Sequence, residues 1–194
     1  MNYLAHLYLS GSNEGLLIGN FIADAVKGKA MNTYSDEVRR GIVLHRAIDQ
    51  FTDDHPLHRA SRTKLHHRYG HYSGVLVDIY YDHFLAKYWH DYSDTELLAY
   101  TKEVYAVMQK NKAVLPERIT YMLQYMIPHN WLYNYANLEG VHKVFCGMAK
   151  RTKFESNMET GVEDLKEKYD EFKADFTDFF PQLKEFVKNK VPTI

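Results

Sequence analysis

Apolar residues recur at three- and four-residue intervals along most of this 194-residue chain, and nowhere do they alternate with polar ones over a convincing strand length. The period predicts helices over roughly Asp36–Asp53, Tyr72–His90 and Met158–Asn189. Two more are predicted at Asp94–Lys110 and Pro116–Lys150, the latter broken near Pro128. Ser35 or Asp36 can cap the first helix, and Asp54-His55-Pro56 ends it, because the residue before a proline avoids the helical region. Ser93 or Asp94 opens a helix after Tyr92, and His90-Asp91 just before it reads as capping. Near the C-terminus, Val162, Leu165, Tyr169, Phe172, Phe176, Phe179 and Leu183 form one apolar stripe with Lys, Glu and Asp between them. That is a packing helix, and nothing catalytic is visible after about Lys153. With 5 Pro, 10 Gly and no repeat, the chain is predicted to be all-α. We read a single-domain helical bundle over residues 1–194, with its C-terminal packing helix starting near residue 155.

Polar residues on apolar faces mark the candidate chemistry. In GIVLHRAIDQFTD, 100° per residue puts Val38, Ile42, His45, Asp49 and Asp53 in one stripe. Val43, Leu44, Ala47, Ile48 and Phe51 line most of the remainder, which leaves only a narrow sector with Arg39, Arg46 and Gln50 for open water. His45 and Asp49 are therefore expected to be partly buried one turn apart, either in a structural hydrogen bond or around a metal. VLVDIYYDHFLAKYW is apolar nearly all round, yet it carries Asp78 and Asp82 one turn apart, with His83 beside Asp82. Two buried carboxylates repel unless a cation, a proton or an arginine lies between them. With a histidine added, the set suits Mn²⁺, Fe²⁺ or Zn²⁺ rather than Ca²⁺. His45, Asp49, Asp82 and His83 are expected to converge in one cavity, with Asp24 close by.

Charge and cysteine content narrow the class. Lys and Arg number 24 against 25 Asp and Glu, so no global field points to nucleic acid or a membrane surface. The single cysteine, Cys146, cannot form an internal disulfide, which favours a reducing compartment, and the N-terminal stretch has no charged leader. We expect a cytoplasmic protein. No nucleophile elbow, phosphate-binding loop, dinucleotide fingerprint or cysteine-based zinc spacing occurs. The segment His58–His71 holds Arg59, Arg62, Lys64 and Arg68 with no acid. It fits either a solvated linker or a site for an acidic partner or phosphate.

The motifs NYLAHLYL, GNFIAD followed by VKG, LHRAIDQFTD, VDIYYDHFLAKYW, NWLYNY and GMAKR occur in that order over residues 2–151. They resemble the acyl carrier protein phosphodiesterases, bacterial enzymes related to the HD-type phosphohydrolases, which remove 4′-phosphopantetheine from holo acyl carrier protein. The resemblance implies an HD-phosphohydrolase-like helical fold and a manganese or magnesium cofactor, with Fe²⁺ a further option. It implies metal ligands among His6, His45, Asp49, Asp78, Asp82 and His83. It also implies that Asp24, or whichever of the aspartates lies off the metal, orients or deprotonates water, with Lys27 or Arg46 on the phosphate. No His-Asp dipeptide lies within the matching motifs, and Asp82-His83 has the reverse order. Acyl carrier proteins are acidic, so Arg59, Arg62, Lys64 and Arg68 are the expected docking residues. An HD-like phosphohydrolase with a closed pocket for a nucleotide or another small phosphorylated metabolite is the alternative.

Overall fold

The helix that the sequence makes apolar on every side is the one the rest of the chain surrounds. In a computed structural model describing residues Met1–Ile194, α5 (Ser73–Lys87) is buried without interruption from Ile79 to Ala86. It is packed by α1 (Tyr3–Leu9), α4 (Pro56–Tyr69), α9 (Leu138–Ala149) and α11 (Tyr169–Lys190). Aromatic rings lock α5 to α11: Tyr80 on Phe172 at 5.0 Å, Tyr81 on Phe179 at 5.3 Å, and Phe84 on Phe176 at 5.8 Å. Between these lie α6 (Leu97–Lys110), α7 (Glu117–Met126), α8 (Trp131–Asn134) and α10 (Gly161–Glu167). There is no strand, and no helix is long and apolar enough to cross a membrane.

The long apolar run at the N-terminus is two short helices, α1 and α2 (Glu14–Ile22). Asn2 caps the first by accepting from Tyr3 N at 2.8 Å, and Asn13 caps the second by accepting from Leu16 N at 2.8 Å. The predicted 36–53 helix is α3, Asp36–Asp54. Pro56 both ends it and starts α4, where its missing N–H falls at a position that needs no partner. The predicted C-terminal helix is divided at Lys168, whose backbone (φ −117°, ψ 31°) leaves the helical region between α10 and α11. The predicted Pro116–Lys150 segment yields α7, α8 and α9, with the break at Ile127–Asn130.

The linker reading of His58–His71 is corrected: most of it is α4. Its buried stripe is His58, Ser61, Leu65 and Tyr69, a helical spacing disguised by having one aliphatic residue among the four.

The closest helix contact joins α2 to α3, and it depends on two glycines. A Cβ on Gly19 would lie 2.0 Å from the Val38 carbonyl oxygen, and one on Gly41 would lie 2.4 Å from that of Leu16. Backbone cannot yield as a flexible side chain can. Gly19→Ala is therefore expected to lower stability by about 2–3 kcal/mol, at the upper end for overpacking. Urea unfolding checks this, and a change under about 0.5 kcal/mol would show that the two helices can slide apart freely.

Candidate metal centre

The α2–α3 contact sets Asn20 against His45. Asn20 is 1% exposed, and its amide nitrogen donates to the His6 carbonyl at 2.8 Å and to Ser10 Oγ at 2.9 Å. With its nitrogen occupied, Asn20 presents Oδ1 and its backbone carbonyl to His45 Nδ1, at 3.0 and 2.9 Å. Nδ1 is thus the donor, and the ring is held with Nε2 facing outward. Asp49 Oδ2 lies 3.1 Å and Asp24 Oδ1 3.3 Å from that Nε2. The His6 ring stacks on His45 at 4.0 Å and sets its own Nε2 3.1 Å from Asp49 Oδ1. Asp49 therefore bridges two imidazoles, one oxygen to each.

Two buried histidines make the floor and two carboxylates the rim. His6 is 3% and His45 7% exposed, whereas the side chains of Asp49 and Asp24 are 42% and 74% exposed. His6, though buried, leaves Nδ1 without a partner, and its Nε2 has only the Asp49 carboxylate, at 3.1 Å. A buried nitrogen left in that state is costly unless something occupies it. Ligand atoms of His6, His45 and Asp49 lie within 4.8 Å of one another, a group that can hold a metal ion.

The electrostatics follow from this packing. Burial opposes charge on His45, but hydrogen bonds to Asp24 and Asp49 prevail and push its pKa up to about 9. Burial holds His6 below its ordinary value against the pull of Asp49. Asp24 is lowered, chiefly by its hydrogen bond to His45. Asp49 is lowered further: burial disfavours its charge, and His45, His6 and the Met1 amino group together outweigh it.

The expected single cavity is not what forms, because α5 spends its polar residues on other partners. Asp82 is fully buried and accepts from the backbone N–H groups of Leu4 (2.7 Å), Asn2 (3.3 Å) and Ala5 (3.3 Å), so it caps α1. Asp78 accepts from the Met1 amino group and pairs with His58 Nε2, both at 3.0 Å. His83 Nδ1 donates to the Tyr135 carbonyl at 2.7 Å, and its Nε2 meets Tyr169 Oη at 3.0 Å. Asp78 and Asp82 thus hold the start of α1 and His83 holds Tyr135 and Tyr169, whereas His6, His45, Asp49 and Asp24 converge. Arg46 reaches the Val26 carbonyl at 3.3 Å and ties down the loop that carries Asp24, while Lys27 in that loop is exposed and makes no ion pair. Sequence reasoning missed Asn20 and Ser10. The one available signal was a lone amide in the apolar run LLIGNFIA.

The expected basic docking patch is also neutralised by the fold. Arg59 pairs with Asp54, Arg62 with Asp53, Lys64 with Asp175 and Glu171, and Arg68 with Asp164 and Glu163. A segment without acids in sequence faces acids in space.

Fold and site together define an all-helical protein with a His–Asp cluster where α1, α3 and the turn after α2 meet, its two carboxylates facing solvent. Comparison with known proteins gives the particular family: the family model described as acyl carrier protein phosphodiesterase matches residues 1–183, and the chain belongs to that family. Similar relatives bearing that name come from Photorhabdus laumondii, 33% identical over 98% of this chain and 96% of the relative, and from Serratia proteamaculans, 31% identical over 98% and 99%. A third, from Pectobacterium atrosepticum, is 30% identical over 98% and 99%. No solved structure matches.

Proposed function

We propose that this cluster hydrolyses a phosphodiester with a divalent cation, manganese first, and that the substrate is holo acyl carrier protein. The products are apo acyl carrier protein and 4′-phosphopantetheine. The observation that carries the metal is the buried His6 imidazole stacked on His45, with ligand atoms of both rings and of Asp49 within 4.8 Å of one another. The family match and the relatives' names support the substrate.

A divalent cation bound there would neutralise phosphate charge and lower the pKa of a water. His6, His45 and Asp49 would hold it, with Asn20 keeping the His45 ring turned so that Nε2 is the ligand atom. Asp24, on the rim 3.3 Å from His45 Nε2, takes the proton of the attacking water at its carboxylate. Lys27, three residues on and free of acids, meets the phosphate oxygens. Arg46 positions the loop through the Val26 carbonyl. The kinship to HD-type phosphohydrolases lies in this donor chemistry, His and Asp on adjoining helices. A rim as open as that of Asp24 and Asp49 favours an arm presented by a protein over a nucleotide enclosed in a pocket. The one cysteine and the substrate support a cytoplasmic location.

The test is turnover: metal-stripped protein should leave holo acyl carrier protein intact, and added Mn²⁺ should release the arm, read as a mass loss on the carrier. Inertness toward the carrier combined with activity on a nucleotide panel would transfer the site to the small-metabolite class.

Metal binding should also be steeply pH-dependent. At neutral pH the metal-free His45 holds a proton on Nε2 that a metal must displace, whereas His6, lowered by burial, is already neutral. Apparent Mn²⁺ affinity is expected to rise roughly tenfold per pH unit from about pH 6.5 and to level off near pH 9. The sign for the metal-free fold is opposite: the His45 proton stabilises it below about pH 6.5, and that contribution is lost as pH rises through about 9. An affinity that is flat from pH 6.5 to 8.5 by isothermal titration would remove His45 from the ligand set.

A further inference from the structure

With the α4 cations each facing an acid within the fold, the cations left without an acid lie elsewhere. The geometry points to Arg118 on α7 and Arg151 just past α9, with the exposed Tyr121 and Tyr125 beside Arg118, as the face that docks the acidic carrier protein. This deepens the substrate reading above and rests on it.

Arg118 is exposed and makes no ion pair or hydrogen bond within the protein. Arg151 is exposed and bonds only the Gly147 carbonyl, at 2.9 Å. Lys150 and Lys153 flank Arg151, both exposed and free of acids. The neighbouring acids Glu117 and Glu155 are also exposed and pair with none of these cations. On α7, Arg118, Tyr121, Met122 and Tyr125 share one face by helical spacing. Tyr121 is 60% and Tyr125 47% exposed, and their rings pack edge-on at 5.3 Å. Exposed tyrosines beside arginines are the composition that interface centres favour.

The face leads to the metal centre. Tyr3 Oη donates to Met122 Sδ at 3.4 Å, and the Tyr3 ring lies 5.3 Å from that of Phe21, the residue after Asn20. One half-buried tyrosine thus joins α7 to the helix that orients His45. The charges of Asp24, Arg118 and Arg151 all reach its phenol, so the two arginines and the site rim share one neighbourhood. A carrier protein seated there would direct its arm across Tyr3 toward Asp24.

Binding of fluorescently labelled holo acyl carrier protein to full-length protein, at about 50 and 300 mM salt, tests the proposal alongside steady-state turnover. Arg118→Glu combined with Arg151→Glu is expected to weaken binding and raise KM at least tenfold at low salt. The loss should fall on KM rather than kcat and shrink at high salt, where exposed charges are screened. Arg118→Lys should restore most of the affinity lost in Arg118→Glu, as a charge effect requires. Tyr121→Ala should weaken binding at both salt concentrations. Unchanged affinity in the double variant, or no carrier binding by the wild type, would overturn the proposal. So would a loss confined to kcat. Arginine-dependent binding without any release of the arm would sink the hydrolase reading and leave the docking face standing.

Discussion

Asp49→Asn is expected to abolish hydrolysis and metal binding while leaving the helical circular dichroism in place. Asp49 alone touches both imidazoles of the cluster, His6 through Oδ1 and His45 through Oδ2. The amide keeps the shape and removes the charge, and its nitrogen cannot serve as a ligand. Loss of a ligand should lower kcat/KM by about a thousandfold or more, equivalent to ~4 kcal/mol of transition-state stabilisation. The cost to the fold should be small, because the side chain is 42% exposed and water can solvate what the imidazoles lose. The proton on His45 gives an independent readout. With one of its two carboxylate partners gone, its pKa should fall from about 9 toward the ordinary histidine value, visible by NMR titration of metal-free protein. Retained metal and activity with a large loss of stability would instead make the cluster a polar core network.

Asp82→Ala should have the opposite profile, with unfolding first and inactivity as its consequence. Its carboxylate accepts three backbone N–H groups at the start of α1, which carries His6 two residues further on. Removing it leaves those donors buried without partners at about 1–3 kcal/mol each. A net loss of about 3–5 kcal/mol in urea unfolding is expected. Burial pushes the Asp82 pKa up to about 7, against the Met1 amino group and the three N–H groups. The folded wild type therefore binds a proton that the unfolded chain releases near pH 4, so this residue's contribution to stability declines as pH rises from about 4 to 7. The gap between wild type and Asp82→Ala should accordingly narrow toward pH 8. A stable Asp82→Ala protein that has lost only its metal would return Asp82 to the ligand set.

The contrast between these two aspartates shows how far the sequence could be read. Both stand on helices whose faces were correctly predicted to be buried, each one residue or one turn from a histidine. Burial of His45, with Asp49 one turn away, followed from the 100° rotation per residue, since their stripe holds Val38 and Ile42 rather than Arg39 and Arg46. The same reasoning put Asp82 and His83 inside the domain, which is where they are. It could not say what lies opposite them, because that depends on which helix ends arrive there. The N-terminus of α1 brings unsatisfied N–H groups to Asp82, and the Tyr135 carbonyl and Tyr169 hydroxyl reach His83 first.

Charge was subject to the same limit. Along the chain, Arg59, Arg62, Lys64 and Arg68 form a run without acids, but α3, α10 and α11 bring Asp53, Asp54, Asp164 and Asp175 against them. The less conspicuous Arg118 and Arg151 remain unopposed. Local periodicity predicted α3, the central place of α5 and the burial of His45, Asp82 and His83, because these depend on angles set within a few residues. Tertiary structure alone decided which buried groups share a site and which cations stay free. Partners in a bundle are chosen by packing between segments far apart in sequence, here by two glycines that let α2 and α3 close until Asn20 meets His45.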